Sequence, residues 1–186
     1  MPKRIAILAG AFNPLTRAHI ALAQAASSAA DEVIWVVPRV YPHKRIEGAR
    51  LEQRLEMLYR TPYRVETTEG GLFIEIAREM KAREKESEIF FVCGRDAAER
   101  ILNWDYGEPG FAQRMMQEFG LLVAARQGEF IAPPAFTRRI IPILLNGSFD
   151  DISSTEVRRR IAAEDSWEHL VPEEIVDLVR SAYGRR

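Results

Sequence analysis

The apolar positions of this chain follow two patterns that alternate along its length. Short continuous apolar runs are typical of strands buried on both faces of a parallel sheet, whereas apolar positions repeating every three or four residues predict helices. The predicted strands cover residues 4–9, 32–37, 88–93 and 120–125, with weaker runs at 63–67 and 139–143. The predicted helices cover residues 17–29, 49–60, 71–83, 96–103 and 111–118.

Strands that alternate with helices predict right-handed βαβ units, and therefore an α/β fold with a Rossmann-like, doubly wound parallel sheet. After Pro142 only helical patterns follow, at residues 154–163 and 172–183. We expect a single domain over residues 1–186, with the sheet core at about 3–145 and a helical part at about 150–184. In such a sheet, ligands bind beyond the carboxyl ends of the strands, where the strand order reverses.

Charge and cysteine content narrow the functional classes. The 186 residues carry a formal net charge of only −1, so any anion site must be assembled locally, and nucleic acid is not an expected partner. The single cysteine, Cys93, excludes an intramolecular disulfide and lies in an apolar run, as a buried structural thiol would. The first apolar run is too short to span a membrane and lacks a signal-peptide pattern, so we expect a cytoplasmic protein without a membrane partner.

A candidate anion site follows the first predicted strand, at residues 10–19 (Gly-Ala-Phe-Asn-Pro-Leu-Thr-Arg-Ala-His). The lack of a Cβ at Gly10 lets the backbone approach an anion, and the free amides and dipole of the following helix favour negative charge. His19 is expected in the first turn of that helix, facing the anion. The segment matches neither the GxGxxG fingerprint nor the P-loop.

A second candidate anion site is residues 152–158 (Ile-Ser-Ser-Thr-Glu-Val-Arg). Ser153 and Glu156 have the spacing of a capping box, which predicts a helix start. The amides and hydroxyls of Ser154 and Thr155 would then occupy the open first turn, with Arg158 one turn beyond Ser154 on the same face. Such a site offers amides, hydroxyls and a guanidinium to a polyphosphate.

Together these segments resemble the nucleotidyltransferase superfamily with the (T/H)xGH and ISSTxxR signatures. The first signature is residues 16–19 (Thr-Arg-Ala-His), in which Ala18 replaces the glycine, and the second is residues 152–158. Residues 91–96 (Phe-Val-Cys-Gly-Arg-Asp), followed by Trp104, resemble the Gly-x-Asp and downstream tryptophan of mononucleotide adenylyltransferases that make dinucleotide cofactors. The resemblance runs over nearly the whole chain.

The resemblance implies an ATP-dependent adenylyltransferase of NAD biosynthesis, closest to the nicotinamide and nicotinate mononucleotide enzymes. The mononucleotide phosphate would attack the α-phosphorus of ATP and give the dinucleotide and pyrophosphate, with Mg²⁺ bound mainly through the ATP phosphates and no dedicated protein metal site. It implies catalytic roles for Thr16, His19, Lys44 and Arg158; ATP binding by Gly10, Ala11, Phe12, Gly94, Asp96, Ile152, Ser153, Ser154 and Thr155; and acceptor binding by Asn13, Lys44, Arg54 and Trp104. In this scheme His19 stabilises the α-phosphate and Arg158 the leaving pyrophosphate.

Structural roles would also explain several of these residues. Thr16 and Asp96 can each be a helix N-cap. Arg54 can be an exposed helix charge, and Trp104 can belong to the core. These alternatives stay open at the level of the sequence.

One segment departs from the related pyridine-nucleotide enzymes. They carry a Ser/Trp/Pro-Tyr-Thr segment at the start of the helix before the fourth strand, where this chain has residues 69–75 (Glu-Gly-Gly-Leu-Phe-Ile-Glu). The alternatives are therefore adenylyl or cytidylyl transfer to another phosphate acceptor such as phosphopantetheine, or a non-catalytic nucleotide sensor. A sensor needs no α-phosphate stabiliser, so His19 favours an enzyme. The choice between acid and amide pyridine, and between a monomer and a homo-oligomer, stays open.

Overall fold

Six strands form a single parallel sheet in a computed structural model that describes residues 2–41, 45–103, 107–124 and 130–184. The strands are β1 (Lys3–Ala9), β2 (Glu32–Pro38), β3 (Arg64–Thr68), β4 (Ser87–Gly94), β5 (Gly120–Ala124) and β6 (Ile140–Ile143). Their order in the sheet is β3-β2-β1-β4-β5-β6, and every pairing is parallel. The chain runs outward from β1 to β3 and then returns to place β4 beside β1. The strand order therefore reverses between β1 and β4, which confirms the predicted doubly wound sheet.

Helices connect the strands and continue after β6. They are α1 (Arg17–Ala26), α2 (Leu51–Tyr59), α3 (Phe73–Arg83), α4 (Arg95–Asn103), α5 (Phe111–Glu118), α6 (Ser154–Ala162) and α7 (Val176–Tyr183). Short 3₁₀ turns lie at Pro134–Phe136, Glu168–Leu170 and Glu173–Ile175. Within the described ranges, no helix has the length and apolar character that crossing a membrane requires.

The strands are continuously apolar because both faces of the sheet are covered. On β1, Ile5 and Ile7 pack into a cluster with buried residues of α3 and α5, while Ala6 and Leu8 pack into a second cluster with α1, α2 and α7. Successive strand residues point to opposite faces, so each face receives every second side chain. The two clusters support the carboxyl ends of β1 and β4 from both faces of the sheet.

Several helix boundaries differ from the predicted ones. Helix α4 begins at Arg95, directly after β4, so Asp96 is the second residue of the helix and the alternative that it caps the helix is wrong. The helix predicted from Gly71 begins only at Phe73, which agrees with the poor helix propensity of glycine. The segment after Pro172 begins as a 3₁₀ turn and becomes α-helical only at residue 176.

The C-terminal helical part is tied to the loop between β1 and α1. The hydroxyl of Ser154 donates to the carbonyl oxygen of Pro14 at 2.7 Å, and Nε of Arg17 donates to the carbonyl oxygen of Val171 at 3.1 Å. These bonds join residues more than a hundred positions apart in the sequence. They bring the two sequence motifs to the same edge of the sheet.

Candidate active site

The site lies where the strand order reverses, between the carboxyl ends of β1 and β4. Gly10 follows β1, and its N–H donates to the carbonyl oxygen of Val36 at 3.1 Å, which directs the chain out of the sheet. Gly94 ends β4, and a Cβ built there would meet no atom within 4 Å. Both glycines lie at the edge where doubly wound sheets bind ligands.

The imidazole of His19 is oriented by the residues before its helix. Thr16 is the N-cap of α1, as predicted, and its backbone N–H donates to Nδ1 of His19 at 3.0 Å. The Thr16 hydroxyl lies 2.9 Å from the same nitrogen, and the Phe12 ring packs edge-on against the imidazole with 5.1 Å between centroids. Because Nδ1 accepts a hydrogen bond, the neutral imidazole carries its proton on Nε2.

The first turn of α6 offers backbone donors. Ser153 is its N-cap, and the Ser153 hydroxyl accepts from the N–H of Glu156 at 3.1 Å. The N–H groups of Ser154 and Thr155 have no intrahelical acceptor, and no other group in the described part of the chain accepts from them. The Ser154 hydroxyl, predicted as a donor to phosphate, instead donates to the preceding loop at Pro14.

The predicted capping box at this helix forms only in part. The carboxylate of Glu156 does not turn back to Ser153, because it accepts from Arg159 at 2.8 Å and from Arg160 at 2.7 Å. These two hydrogen bonds lower the pKa of Glu156 to about 2, and the bond from Arg159 has the larger effect. The carboxylate therefore stays ionised, and it is hydrogen-bonded to Arg159 and Arg160 rather than to the helix N-terminus.

Arg158 connects the two motifs. Its Nη1 donates to the carbonyl oxygen of Asn13 in the loop after β1 and to that of Ser154 at 3.2 Å, while Nη2 lies 3.4 Å from the hydroxyl oxygen of Thr155. Among the described residues no carboxylate pairs with this guanidinium. Its positive charge is therefore available to an anion.

These groups line one cavity, which adjoins a second. The first, of about 330 Å³, is lined by both motifs and includes His19 and Arg158. The second, of about 600 Å³, is lined by Gly94, Asp96 and the exposed face of α4. Asp150 lines both cavities, so they are neighbours. The sequence analysis missed Asp150, although an acidic residue shortly before a predicted helix start was an available signal.

Two of the predicted acceptor residues, Arg54 and Asn13, are buried and bonded to other parts of the protein. Arg54 is only 5% exposed and donates to the carbonyl oxygen of Ala11 at 2.7 Å, so the alternative of an exposed helix charge is wrong. Asn13 is 4% exposed, and its side-chain amide bonds the carbonyl oxygen of Glu47 and the hydroxyl of Tyr183. Contact of Arg54 and Asn13 with an acceptor stays a prediction.

Two predicted residues and one predicted boundary fall outside the described ranges. Lys44, assigned to catalysis and acceptor binding, and Trp104, assigned to the acceptor, are not among the described residues. The strand predicted to reach residue 125 is described as far as Ala124. Cys93 is buried as expected, and burial raises the pKa of its thiol to about 12.

Comparison with known proteins agrees with this architecture. A model of the cytidylyltransferase-like family matches residues 7–160. The probable nicotinate-nucleotide adenylyltransferase of Thermus thermophilus is 30% identical, over 91% of this chain and 92% of that protein. The probable nicotinate-nucleotide adenylyltransferase of a Geobacter species is 28% identical, over 95% of both chains.

The fold is also found in a solved structure. The nicotinic acid mononucleotide adenylyltransferase of Plasmodium falciparum, complexed with NaAD, superposes with a TM-score of 0.70 at 18% identity, over 96% of this chain and 95% of that chain. At this identity the likeness concerns the fold alone. The family match and the relatives show that the chain belongs to the cytidylyltransferase-like family and is a nucleotidyltransferase.

Proposed function

We propose that this enzyme transfers the adenylyl group of ATP to nicotinate mononucleotide, with release of pyrophosphate, as a step of NAD biosynthesis. The observation that carries the proposal is that His19, the open amides of α6 and Arg158 line one cavity. The names of the two relatives support the pyridine acceptor. The acid form comes first because both relatives are named for nicotinate.

The reaction needs no nucleophilic side chain. An oxygen of the acceptor phosphate attacks the α-phosphorus of ATP, and the bond between that phosphorus and the β-phosphate oxygen breaks. Phosphoryl transfer depends mainly on positioning and on charge stabilisation, which preorganised donors supply. His19 would donate from Nε2 to an oxygen of the α-phosphate, because Thr16 holds Nδ1 as an acceptor.

The start of α6 would bind the leaving pyrophosphate. The N–H groups of Ser154 and Thr155 and the positive end of the helix dipole favour an anion, and Arg158 adds a guanidinium. Arg158 has no described carboxylate partner, so its charge is not already neutralised. The adenosine would occupy the larger cavity, lined by Gly94 and Asp96.

The residues present fit a Mg²⁺ ion carried by ATP. The described residues contain no group of three or more His, Cys, Asp or Glu side chains that could hold a metal. Mg²⁺ is commonly held by substrate phosphates with one or two carboxylates, and Asp150 and Asp96 line the two cavities. When bound, the ion would neutralise charge on the phosphates.

The acceptor phosphate would bind near Arg54 and, as the resemblance implies, Lys44. The guanidinium of Arg54 donates to the carbonyl oxygen of Ala11 in the loop after β1, which places its charge at the edge of the sheet where the site lies. Asn13 and Trp104 remain predicted contacts of the acceptor.

The broader organisation of the protein also stays a prediction. We expect one domain over residues 1–186, with its core at about 3–145, and a cytoplasmic location. A homo-oligomer is one alternative, and neither nucleic acid nor a membrane is an expected partner.

A product assay by mass spectrometry tests the function. The protein is incubated with ATP and Mg²⁺ in three separate reactions. Each reaction contains one acceptor: nicotinate mononucleotide, nicotinamide mononucleotide or phosphopantetheine. We expect the nicotinate dinucleotide as the main product. A product from phosphopantetheine alone would move the enzyme to another acceptor, and ATP binding without any product would support a sensor.

A His19→Ala variant separates an enzyme from a sensor. Loss of a donor to the α-phosphate should lower kcat about 10²- to 10³-fold while the Kd of ATP changes little. His169→Ala, at an exposed position in the turn Glu168–Leu170, is the matched control and should keep kcat. An unchanged kcat for His19→Ala would contradict the role of His19.

A further inference from the structure

The last residue of α7 contacts the active-site loop. The Tyr183 hydroxyl donates to Oδ1 of Asn13, 170 positions earlier in the sequence. Burial raises the pKa of Tyr183, so the hydroxyl stays protonated and keeps its donor at any working pH. This contact joins the C-terminal helix to the loop between β1 and α1.

Asn13 passes this contact on to Arg158. The Asn13 side chain is 4% exposed and is held from two sides, by the Tyr183 hydroxyl at Oδ1 and by the carbonyl oxygen of Glu47 at Nδ2. The main-chain carbonyl of Asn13 accepts from Nη1 of Arg158. The position of the guanidinium therefore depends on a residue that the C-terminal helix holds in place.

The fit around this contact is tight. Gly48 has a φ of +98°, and a Cβ there would come within 3.0 Å of the Tyr183 ring and 3.5 Å of Oδ1 of Asn13. A glycine is required for both reasons, because other residues rarely adopt that φ and the added atom would crowd the ring. The backbone at Gly48 thus packs closely against both Tyr183 and Asn13.

We propose that Tyr183 is a positioning residue for the reaction, because its hydroxyl holds Asn13 and the Asn13 carbonyl holds the guanidinium of Arg158 beside the phosphate cavity. Tyr183 itself need not touch substrate. The inference rests on the proposed function only in that Arg158 binds the leaving pyrophosphate.

A purely structural role is the competing explanation, since Tyr183 also anchors α7. Val179, one turn earlier in α7, is fully buried and has no hydrogen bond to the loop. Val179→Ala therefore loosens the packing of the same helix without touching Asn13. It should lower the melting temperature and leave kcat/KM for ATP unchanged at a temperature well below unfolding.

The central variant is Tyr183→Phe, which keeps the ring and removes only the hydroxyl. We expect kcat/KM for ATP to fall about tenfold, because small misplacements of a catalytic group cost up to about 10²-fold, while the KM of the acceptor stays the same. Tyr63→Phe is the matched control, since the Tyr63 ring packs on Trp35 and no described group bonds its hydroxyl. An unchanged kcat/KM for ATP in Tyr183→Phe would overturn the proposal.

A double-mutant cycle identifies Arg158 as the mediator. In the Arg158→Ala background, Tyr183→Phe should change kcat/KM for ATP less than twofold, because the group that it positions is absent. A tenfold fall in both backgrounds would overturn the proposal in favour of a general loosening of α7.

A binding measurement separates failure of this inference from failure of the proposed function. Titration calorimetry with inorganic tripolyphosphate should give about tenfold weaker binding for Tyr183→Phe than for the parent, and equal binding in the Arg158→Ala background. If the parent makes no dinucleotide, the proposed function fails. The tripolyphosphate titration still decides whether Tyr183 positions Arg158. Equal binding by the parent and Tyr183→Phe would contradict the positioning of Arg158.

Discussion

Helices α3 and α6 both have a glutamate in the first turn, but the carboxylate lies at the helix start only in α3. Each has a glutamate as its third residue, Glu75 in α3 and Glu156 in α6. In α3 the Glu75 carboxylate turns back and accepts from the N–H groups of Gly71 and Leu72, both at 3.0 Å. In α6 the corresponding carboxylate does not reach the helix start.

The arginines that follow account for the difference. Arg159 and Arg160 hold the Glu156 carboxylate at 2.8 and 2.7 Å, on the side of the helix. In α3 the next acidic residue, Glu79, accepts from the N–H groups preceding the helix, including that of Gly70 at 2.9 Å. The carboxylates of Glu75 and Glu79 therefore lie at the start of α3, whereas the carboxylate of Glu156 is held away from the start of α6. In this comparison, the helix start proposed to bind an anion is the one from which the glutamate of its first turn is held away.

The largest effect in this comparison should come from Arg158→Ala. Removing a charged donor to phosphate is worth about 1.5–3 kcal/mol, so kcat/KM for ATP should fall roughly 10- to 100-fold in steady-state assays. Arg138→Ala, which removes the same charge from an exposed turn, should leave kcat/KM within twofold. Equal losses in the two variants would mean that general charge, and not the start of α6, attracts the phosphates.

A smaller effect, on the Kd of ATP, is expected when the Glu156 carboxylate loses its hydrogen bonds to Arg159 and Arg160. In the double variant Arg159→Ala/Arg160→Ala the carboxylate can turn to the helix start and compete with ATP. Charge at a helix terminus is typically worth about 0.3–1 kcal/mol, so the Kd of ATP should rise about two- to fivefold. Adding Glu156→Gln should restore most of the affinity, because the competing charge is gone. If the third change restores nothing, the arginines act on ATP directly.

The start of α3 can be opened in the same way. Glu75→Gln removes the charge that fills it, and should lower the free energy of unfolding by about 0.5–1 kcal/mol in urea titrations. The Kd of ATP should not change, because this helix start faces neither of the two cavities described above. A weaker Kd would show that the two helix starts are not independent.

The smallest expected effect is a pH dependence of stability. The pKa of Glu156 in the folded protein is about 2, below its ordinary 4.5, because Arg159 and Arg160 favour the ionised form. The lowered pKa stabilises the fold above about pH 4.5, and this contribution is lost as the pH falls toward 2. Melting temperatures of the parent and Glu156→Gln should therefore differ slightly at pH 6 and converge near pH 2. In 1 M salt the difference at pH 6 should shrink, since Arg159 is exposed and Glu156 and Arg160 are only partly buried.

Much of the fold was predictable because its signals are local. The continuous apolar runs identified all six strands to within one or two residues, since a strand buried on both faces needs no polar positions. Helix ends were less accurate: residues 71–72 were predicted as helical, but their amides bond Glu75 ahead of the first turn. Capping of α4 was one alternative for Asp96, but β4 runs straight into that helix. Such boundaries depend on neighbouring elements, which the sequence pattern does not contain.

The sequence by itself determined the α/β class, the two phosphate motifs and the family resemblance, because these depend on periodicity and on residue types at fixed spacings. Only the tertiary structure decided which groups are available to a ligand. The spacing of Ser153 and Glu156 predicts a closed capping box, yet two arginines hold the carboxylate elsewhere. Likewise, nothing local joins Tyr183 to Asn13, since their contact exists only when the C-terminal helix packs beneath the loop. Hydrogen-bonding groups choose among all the partners that packing brings within reach, so their use is a property of the folded chain.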